Sequence, residues 1–193
     1  QDIFKTAILD TRVQELELKR DSRVEDAPIP FDVWTDVLCR DDCSLERLEL
    51  FGVQPPVRAR SAITDKELSK MKNTSVKEVE LAHNTLDCSS LMEAISQFKS
   101  IEILNIRSNC ISDLSPLDPL LIGESATLRS LELSYNEIRE GNAIEFFQKL
   151  PQMKRLRHLA LAGNPFVEES ESWMDVFSDA VWKNKSLECT SWC

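Results

Sequence analysis

The sequence predicts a single elongated α/β solenoid over 1–193, with a curved parallel β-sheet on its concave face and helices and short helical turns on its convex face. Three observations carry that prediction. The first is a repeat. The stretch Leu128-Arg-Ser-Leu-Glu-Leu-Ser-Tyr-Asn136 sets apolar residues at places 1, 4 and 6 and asparagine at place 9. Ile101, Leu104, Ile106 and Asn109 repeat it, as do Leu156, Leu159, Leu161 and Asn164, and Val76, Val79, Leu81 and Asn84. Two further copies keep the apolar part without the asparagine: Val13, Leu16 and Leu18 with Asp21, and Leu45, Leu48 and Leu50 with Val53. A truncated seventh begins at Leu187. The starts at 13, 45, 76, 101, 128, 156 and 187 are 25 to 32 residues apart. At that period each unit buries its apolar face only by stacking on the next. The second observation is the alternation of places 4, 5 and 6, which is that of a strand with place 5 facing outward. The third is place 9, where an asparagine amide can both donate to and accept from turn backbone that parallel strands would leave unpaired.

In chain order, Ile3, Phe4, Ala7 and Ile8 stand at helical spacing behind Asp2 and predict a capping helix over 1–12 that covers the open edge of the first strand. Repeats follow over 13–164. The first holds a turn-rich insertion over 21–30 and a helix over 31–40 with Phe31, Val33, Trp34, Val37 and Leu38 available for burial. The second holds an insertion over 53–62, with Pro55, Pro56, Arg58 and Arg60, and a helix over 64–72. Leu91, Met92, Ile95 and Phe98 make the inward face of one later helix, and Ile144, Phe146, Phe147 and Leu150 that of another. Between them, Pro116 and Pro119 each remove a helix hydrogen bond, so short helical turns should back the unit over 111–123. A C-terminal cap over 165–193 opens with an acidic stretch. Its helix, over 171–183, carries Trp173, Met174, Val176, Phe177, Val181 and Trp182, a density of large apolar groups suited to closing the array.

On these residues the chain resembles the leucine-rich repeat family over about 13 to 187, nearly its full length. The resemblance implies units of strand, asparagine turn and returning helix. Secreted members place a cysteine cluster after the last Asn-Pro, whereas here Asn164-Pro165-Phe166 runs into Val-Glu-Glu-Ser-Glu-Ser. The order of Asn-Pro, helix and final Leu187 is similar to the cap of intracellular members, although Asn184-Lys-Ser-Leu-Glu replaces their Pro-x-Leu and Leu-Asp. An intracellular protein, cytoplasmic or nuclear, with reduced structural thiols is therefore expected.

Composition excludes several classes. A formal charge of −10 argues against the clustered basic footprint that nucleic acid or an anionic membrane requires. No apolar run is long enough to span a bilayer, and Asp2, Lys5 and Asp10 interrupt the first stretch where a signal peptide would be apolar. Among six cysteines, Cys39 with Cys43 and Cys189 with Cys193 form closely spaced pairs. They belong to opposite ends of the array and could not share one tetrahedral ion, so no metal and no cofactor are expected. Asn73-Thr-Ser and Asn184-Lys-Ser match the glycosylation triplet at about chance frequency. With only four glycines, no phosphate loop, no Gly-x-Ser-x-Gly and no His-Glu-x-x-His, the chain does not read as an enzyme.

Function is sought on the concave face, where stacking brings equal places about 5 Å apart. Place 5 gives Glu17, Glu49, Glu80, Asn105, Glu132 and Ala160. Like charges opposed across strands are destabilising, and folding offers no evident reason for them. The column could receive a basic segment of another protein, or nearby Arg47, Lys77, Arg107 and Arg129 could already neutralise it. Places 7 and 8 add Phe51, Ala82, His83, Arg107 and Tyr135, and place 3 adds His158. The expected partner-binding residues are Glu17, Glu49, Phe51, Glu80, His83, Arg107, Glu132 and Tyr135, aided by the insertions over 21–30 and 53–62 on one rim. The expected function is a protein–protein interaction scaffold. A ribonucleoprotein component, in splicing or RNA export, and the substrate-recognition arm of a ubiquitin ligase or other larger enzyme are the alternatives.

Overall fold

The computed structural model describes residues 14–19, 46–51, 76–83 and 100–191. Outside the described residues lie the expected capping helix over 1–12, both insertions, the helices over 31–40 and 64–72, the helix of Leu91 to Phe98, Asn84, and Cys39, Cys43, Cys88 and Cys193.

Each copy of the repeat forms a strand. These are β1 (Glu15–Lys19), β2 (Arg47–Phe51), β3 (Glu78–Glu80), β4 (Ile103–Asn105), β5 (Ser130–Glu132), β6 (His158–Ala160) and β7 (Cys189–Ser191). They make one parallel sheet in sequence order. Pairing is place for place: Leu48 opposes Val79, Val79 opposes Leu104, Leu104 opposes Leu131 and Leu131 opposes Leu159. Register is set by burial, since a slip of one residue would turn the whole apolar row to solvent. From β3 to β6 the row at places 1, 4 and 6 is buried throughout. The truncated copy at Leu187 supplies β7, which pairs with β6 through Cys189 and His158.

The asparagine turn is a ladder. The Asn109 amide donates to Leu81 O at 2.9 Å and Ile106 O at 3.0 Å. Asn136 donates to Ile106 O at 3.0 Å and Leu133 O at 2.9 Å, and Asn164 to Leu133 O at 3.0 Å and Leu161 O at 2.9 Å. Each amide thus ties its own place-6 carbonyl to that of the preceding repeat. The Oδ1 atoms of Asn136 and Asn164 accept from the Ile111 and Ile138 N–H groups, both at 3.2 Å.

Behind the sheet, the two prolines have the expected consequence. A 3₁₀ turn, Ser115–Leu117, runs into a single helical turn, α1 (Asp118–Leu121). The next unit has a full helix, α2 (Glu140–Lys149), which buries Ala143, Phe146 and Phe147, while Ile144 packs at the margin of the core. The acidic stretch contains a short helix unforeseen in the sequence, α3 (Phe166–Glu169), and the cap helix is α4 (Ser172–Lys183). One expectation for α4 fails. Trp173 is buried, but Met174 is 44% and Trp182 80% exposed. Helical geometry places both off the stripe that meets α2, so density alone overstated the cap's core. Asn184, which displaces the customary cap residues, is buried. Its amide donates to Leu150 O at 2.5 Å, and its Oδ1 accepts from the Ser186 and Leu187 N–H groups at 2.8 Å. It fixes the entry into β7 and is committed to backbone, which leaves no room for a glycan.

The start of α2 is clamped by the cap. Glu169 accepts from the Glu140 N–H at 2.8 Å and pairs with Arg139 at 2.9 Å, while the Ser170 and Ser172 hydroxyls both donate to the Glu140 carboxylate. Those hydroxyls, Ser170 first, hold the exposed Glu140 below the usual carboxylate range. A depressed folded pKa contributes stability above the unfolded value and loses it as pH falls through the folded one. The double substitution Ser170→Ala and Ser172→Ala should therefore lower Tm more at neutral pH than once Glu140 is protonated, when chiefly the Ser172 N–H to Ser170 Oγ bond of 3.1 Å is lost. A Tm difference equal at both pH values would refute the clamp.

Candidate interaction surface

The register lines up the expected column on one face, Glu17 beside Glu49, Glu49 beside Glu80, Glu80 beside Asn105, Asn105 beside Glu132 and Glu132 beside Ala160. Place 3 forms a parallel row of Glu15, Arg47, Glu78, Ile103, Ser130, His158 and Cys189. Arg47 stands among the acids, 3.5 Å from Glu49 and 3.3 Å from Glu78, and the Glu49 side chain is only 13% exposed. Glu49 is therefore largely withdrawn from the surface. Place 2 is a row of mixed charge, with Glu102 and Arg129 at 3.0 Å and Arg157 and Glu188 at 2.8 Å. Exposed pairs of this kind contribute little to stability.

Folding does use an acceptor at place 5, contrary to the expectation from the sequence. Asn105 Oδ1 accepts from the Arg107 N–H at 3.1 Å, and Glu132 Oε1 accepts from the Ser134 N–H at 2.8 Å. The cause lies in the ladder: the asparagine amide occupies the place-6 carbonyl of the preceding repeat, to which the place-7 N–H would otherwise turn. Glu132 thus has a backbone role in addition to its charge.

Place 8 carries a second regularity. His83, Ser108 and Tyr135 have φ of 58°, 54° and 58°, and Gly163, at the same place, has φ of 65°. The chain turns through the left-handed region there so that the place-8 N–H still reaches the next repeat, as in His83 N–H to Arg107 O at 3.0 Å and Tyr135 N–H to Ala162 O at 2.7 Å. The turn throws His83 and Tyr135 outward, and both are exposed. The Arg107 guanidinium lies over the Tyr135 ring, 4.5 Å from its centroid, and the other end of the ring covers Gly163. Arg107, Tyr135 and Gly163 form a stack across three repeats. Place 7 is buried at Ala82, Ser134 and Ala162 and exposed at Arg107. Phe51 occupies the same place, opposite Lys19; its side chain, like that of Glu17, lies outside the described residues.

The stack makes a prediction. A Cβ on Gly163 would stand 2.7 Å from Tyr135 Cδ1, and the left-handed backbone adds about 1–2 kcal/mol for a residue with a side chain. Gly163→Ala is expected to lower Tm and to shift the ring resonances of Tyr135, the chain's single tyrosine. Unchanged tyrosine signals would show that the ring is not seated on Gly163.

Ile103, an isoleucine 41% exposed on the concave face, was not among the expected surface residues, and Cys189 stands exposed beside His158. Strand alternation, with place 3 outward, was signal enough to find Ile103. Among the described residues no three His, Cys, Asp or Glu side chains converge as a metal site requires, and no helix is long and apolar enough to cross a membrane.

Comparison with known proteins agrees with this architecture. The family described as Leucine Rich repeat matches residues 124–139, which hold β5 and its asparagine turn. The leucine-rich repeat-containing protein 56 homolog of Trypanosoma brucei brucei is 36% identical over 76 residues, 39% of this chain. The chain spans 9% of that relative's length. The tropomodulin C-terminal domain of Caenorhabditis elegans superposes with a TM-score of 0.50 at 14% identity, covering 79% of this chain and 92% of that one. Leiomodin-1 actin-binding site 2 does so with a TM-score of 0.43 at 17% identity, over 86% of this chain and 81% of that one.

Proposed function

We propose that this chain, a leucine-rich repeat protein, is a protein-binding scaffold whose concave wall receives a basic segment of another protein over β1 to β3, with Arg107 and Tyr135 at the rim. One observation carries the reading. On those three strands, places 3 and 5 set Glu15, Glu17, Glu49, Glu78 and Glu80 in register around a single guanidinium, Arg47. A patch of five carboxylates to one cation projects a negative field that steers and retains a cationic segment. Past β3 the rows turn neutral, with Ile103, Ser130, His158 and Cys189 at place 3 and Asn105, Ala160 and Ser191 at place 5, broken only by Glu132. Recognition therefore belongs to the N-terminal half of the wall. The exposed, unbridged Cys189 supports placing the chain in a reducing compartment.

Glu80→Lys is the test, because Glu80 stands half-buried on β3 and the substitution reverses charge within the acidic rows. A lysine-rich peptide should bind the wild-type chain with affinity that falls as salt rises, and the variant should bind at least about tenfold more weakly. Salt-independent binding, or equal affinity for the variant, would overturn the reading. A ribonucleoprotein role would instead show as retention of single-stranded RNA on a filter.

A further inference from the structure

We infer that the basic segment is an amphipathic α-helix laid across the strands, its cationic side chains two turns apart over β1 and β3, an uncharged turn over the paired Arg47 and Glu49 of β2 and an apolar side chain resting on Ile103 of β4. This rests on the acidic-wall reading and adds the shape and polarity of the partner to it.

The first reason is backbone chemistry. β2 to β6 are hydrogen-bonded to a neighbour on each side, so the face over those strands offers a partner side chains and no strand edge. An extended segment lying on it would bring its own N–H and C=O groups to a surface that cannot pair them, whereas a helix arrives with those groups already bonded.

The second is spacing. Rows of equal place repeat at about 4.8 Å. A helix rises about 1.5 Å per residue, so side chains at i, i+3, i+7 and i+10 advance by about 4.5, 10.5 and 15 Å and stay within about 1 Å of rows at about 4.8, 9.6 and 14.4 Å. An extended chain presents one face every 6.7 Å or so, loses about 2 Å per row, and is most of a row out of step by the third strand.

The third is the change of character along place 3, from Glu15, Arg47 and Glu78 to Ile103. Ile103 is 41% exposed although it occupies the middle strand of seven. Its register partners are Glu78 and Ser130, and its place-5 neighbour Asn105 spends its side-chain oxygen on the Arg107 N–H. An apolar side chain set down on β4 therefore meets an isoleucine flanked by a small hydroxyl, with no carboxylate on its own strand. The surface reads as acidic rows on β1 and β3, with the paired Arg47 and Glu49 of β2 between them, followed by one apolar row on β4, which a helix with basic residues on its first and third turns, an uncharged one between and an apolar one on its fourth complements turn by turn.

Two synthetic peptides of identical composition in an alanine and glutamine background test this on the whole chain. One carries Lys at i and i+7, Gln at i+3 and Leu at i+10; its isomer carries the same four residues in the same order at two-residue spacing. The helical peptide is expected to bind at least about tenfold tighter than its isomer, to gain helical circular dichroism on mixing, and to lose that advantage with Ile103→Ser, a surface change whose folding is checked by Tm. Equal affinities for the two peptides, both weakened by Glu80→Lys, would overturn the helix while leaving the acidic wall standing. Failure of both peptides to bind, with Glu80→Lys silent, would remove the wall and the helix with it.

Discussion

Replacing Asn136 by alanine is expected to lower stability by about 3 kcal/mol, the upper end of the cost of orphaning buried backbone groups. The size follows from which groups keep a second partner. Ile106 O retains the Asn109 amide at 3.0 Å, Leu133 O retains that of Asn164 at 3.0 Å, and Ser134 O retains the Ser108 N–H at 2.9 Å. The Ile111 N–H loses Asn136 Oδ1, its acceptor at 3.2 Å, in a residue only 1% exposed. One donor is thus left orphaned and three carbonyls are weakened. For a chain of this size the loss amounts to several degrees in Tm, at about 2–4 °C per kcal/mol. Hydrogen exchange locates the defect, because the Ile111 amide should lose protection before those on the far strands. Asn136→Asp should be at least as damaging, since it keeps an acceptor for Ile111 but sets a buried charge against three carbonyl oxygens. An alanine variant with unchanged Tm and a protected Ile111 amide would show that the ladder is dispensable.

The same asparagines explain what the sequence disclosed. Leucine at places 1, 4 and 6 and asparagine at place 9 are each the residue type that its position demands, so strand order, parallel register and the ladder could all be read from Leu128 to Asn136 and its copies. The proline-broken unit was legible for the same reason, because Pro116 and Pro119 act locally. The left-handed place 8 was harder to see. Gly163 hinted at it, but His83, Ser108 and Tyr135 adopt the conformation without being glycine, under tertiary hydrogen bonds that no single repeat displays. The place-5 acceptor was hidden for a related reason: a glutamate that bonds the backbone two residues on looks in sequence like one that waits for a partner. Asn184 stood out as a departure from a familiar cap and as part of a glycosylation triplet, whereas its role depends on carbonyls more than 30 residues away. Of the nominated site, the register brings Glu17, Glu49 and Glu80 together, and the stack brings Arg107 to Tyr135. The burial of Glu49 and the ion pairs of Arg47 are features that one sequence does not reveal.

Phe147→Ala should have the largest effect, about 3–5 kcal/mol, because this fully buried ring holds the cap to the array. Its centroid lies 6.3 Å from that of Phe146, 5.8 Å from Phe166, 6.2 Å from Trp173 and 5.1 Å from Phe177. It therefore joins α2, α3 and α4, whereas the rows of the sheet join only adjacent repeats. In a stacked array stability is a sum of units and the interfaces between them, so a defect at one interface need not melt the rest. The substitution should uncouple the segment after Asn164 first. Limited proteolysis would then cut within 165–191 while the core from β4 to β6 stays intact, and thermal unfolding would separate into two steps. Trp182→Ala is the control: its ring is 80% exposed and meets Lys185 Nζ at 5.8 Å, so the loss should stay within about 0.5 kcal/mol. Equal destabilisation by the two substitutions would mean that the cap is held by something other than the Phe147 cluster. A single cooperative transition in Phe147→Ala would mean that the cap and repeats melt as one body, with the interface between them as strong as any between repeats.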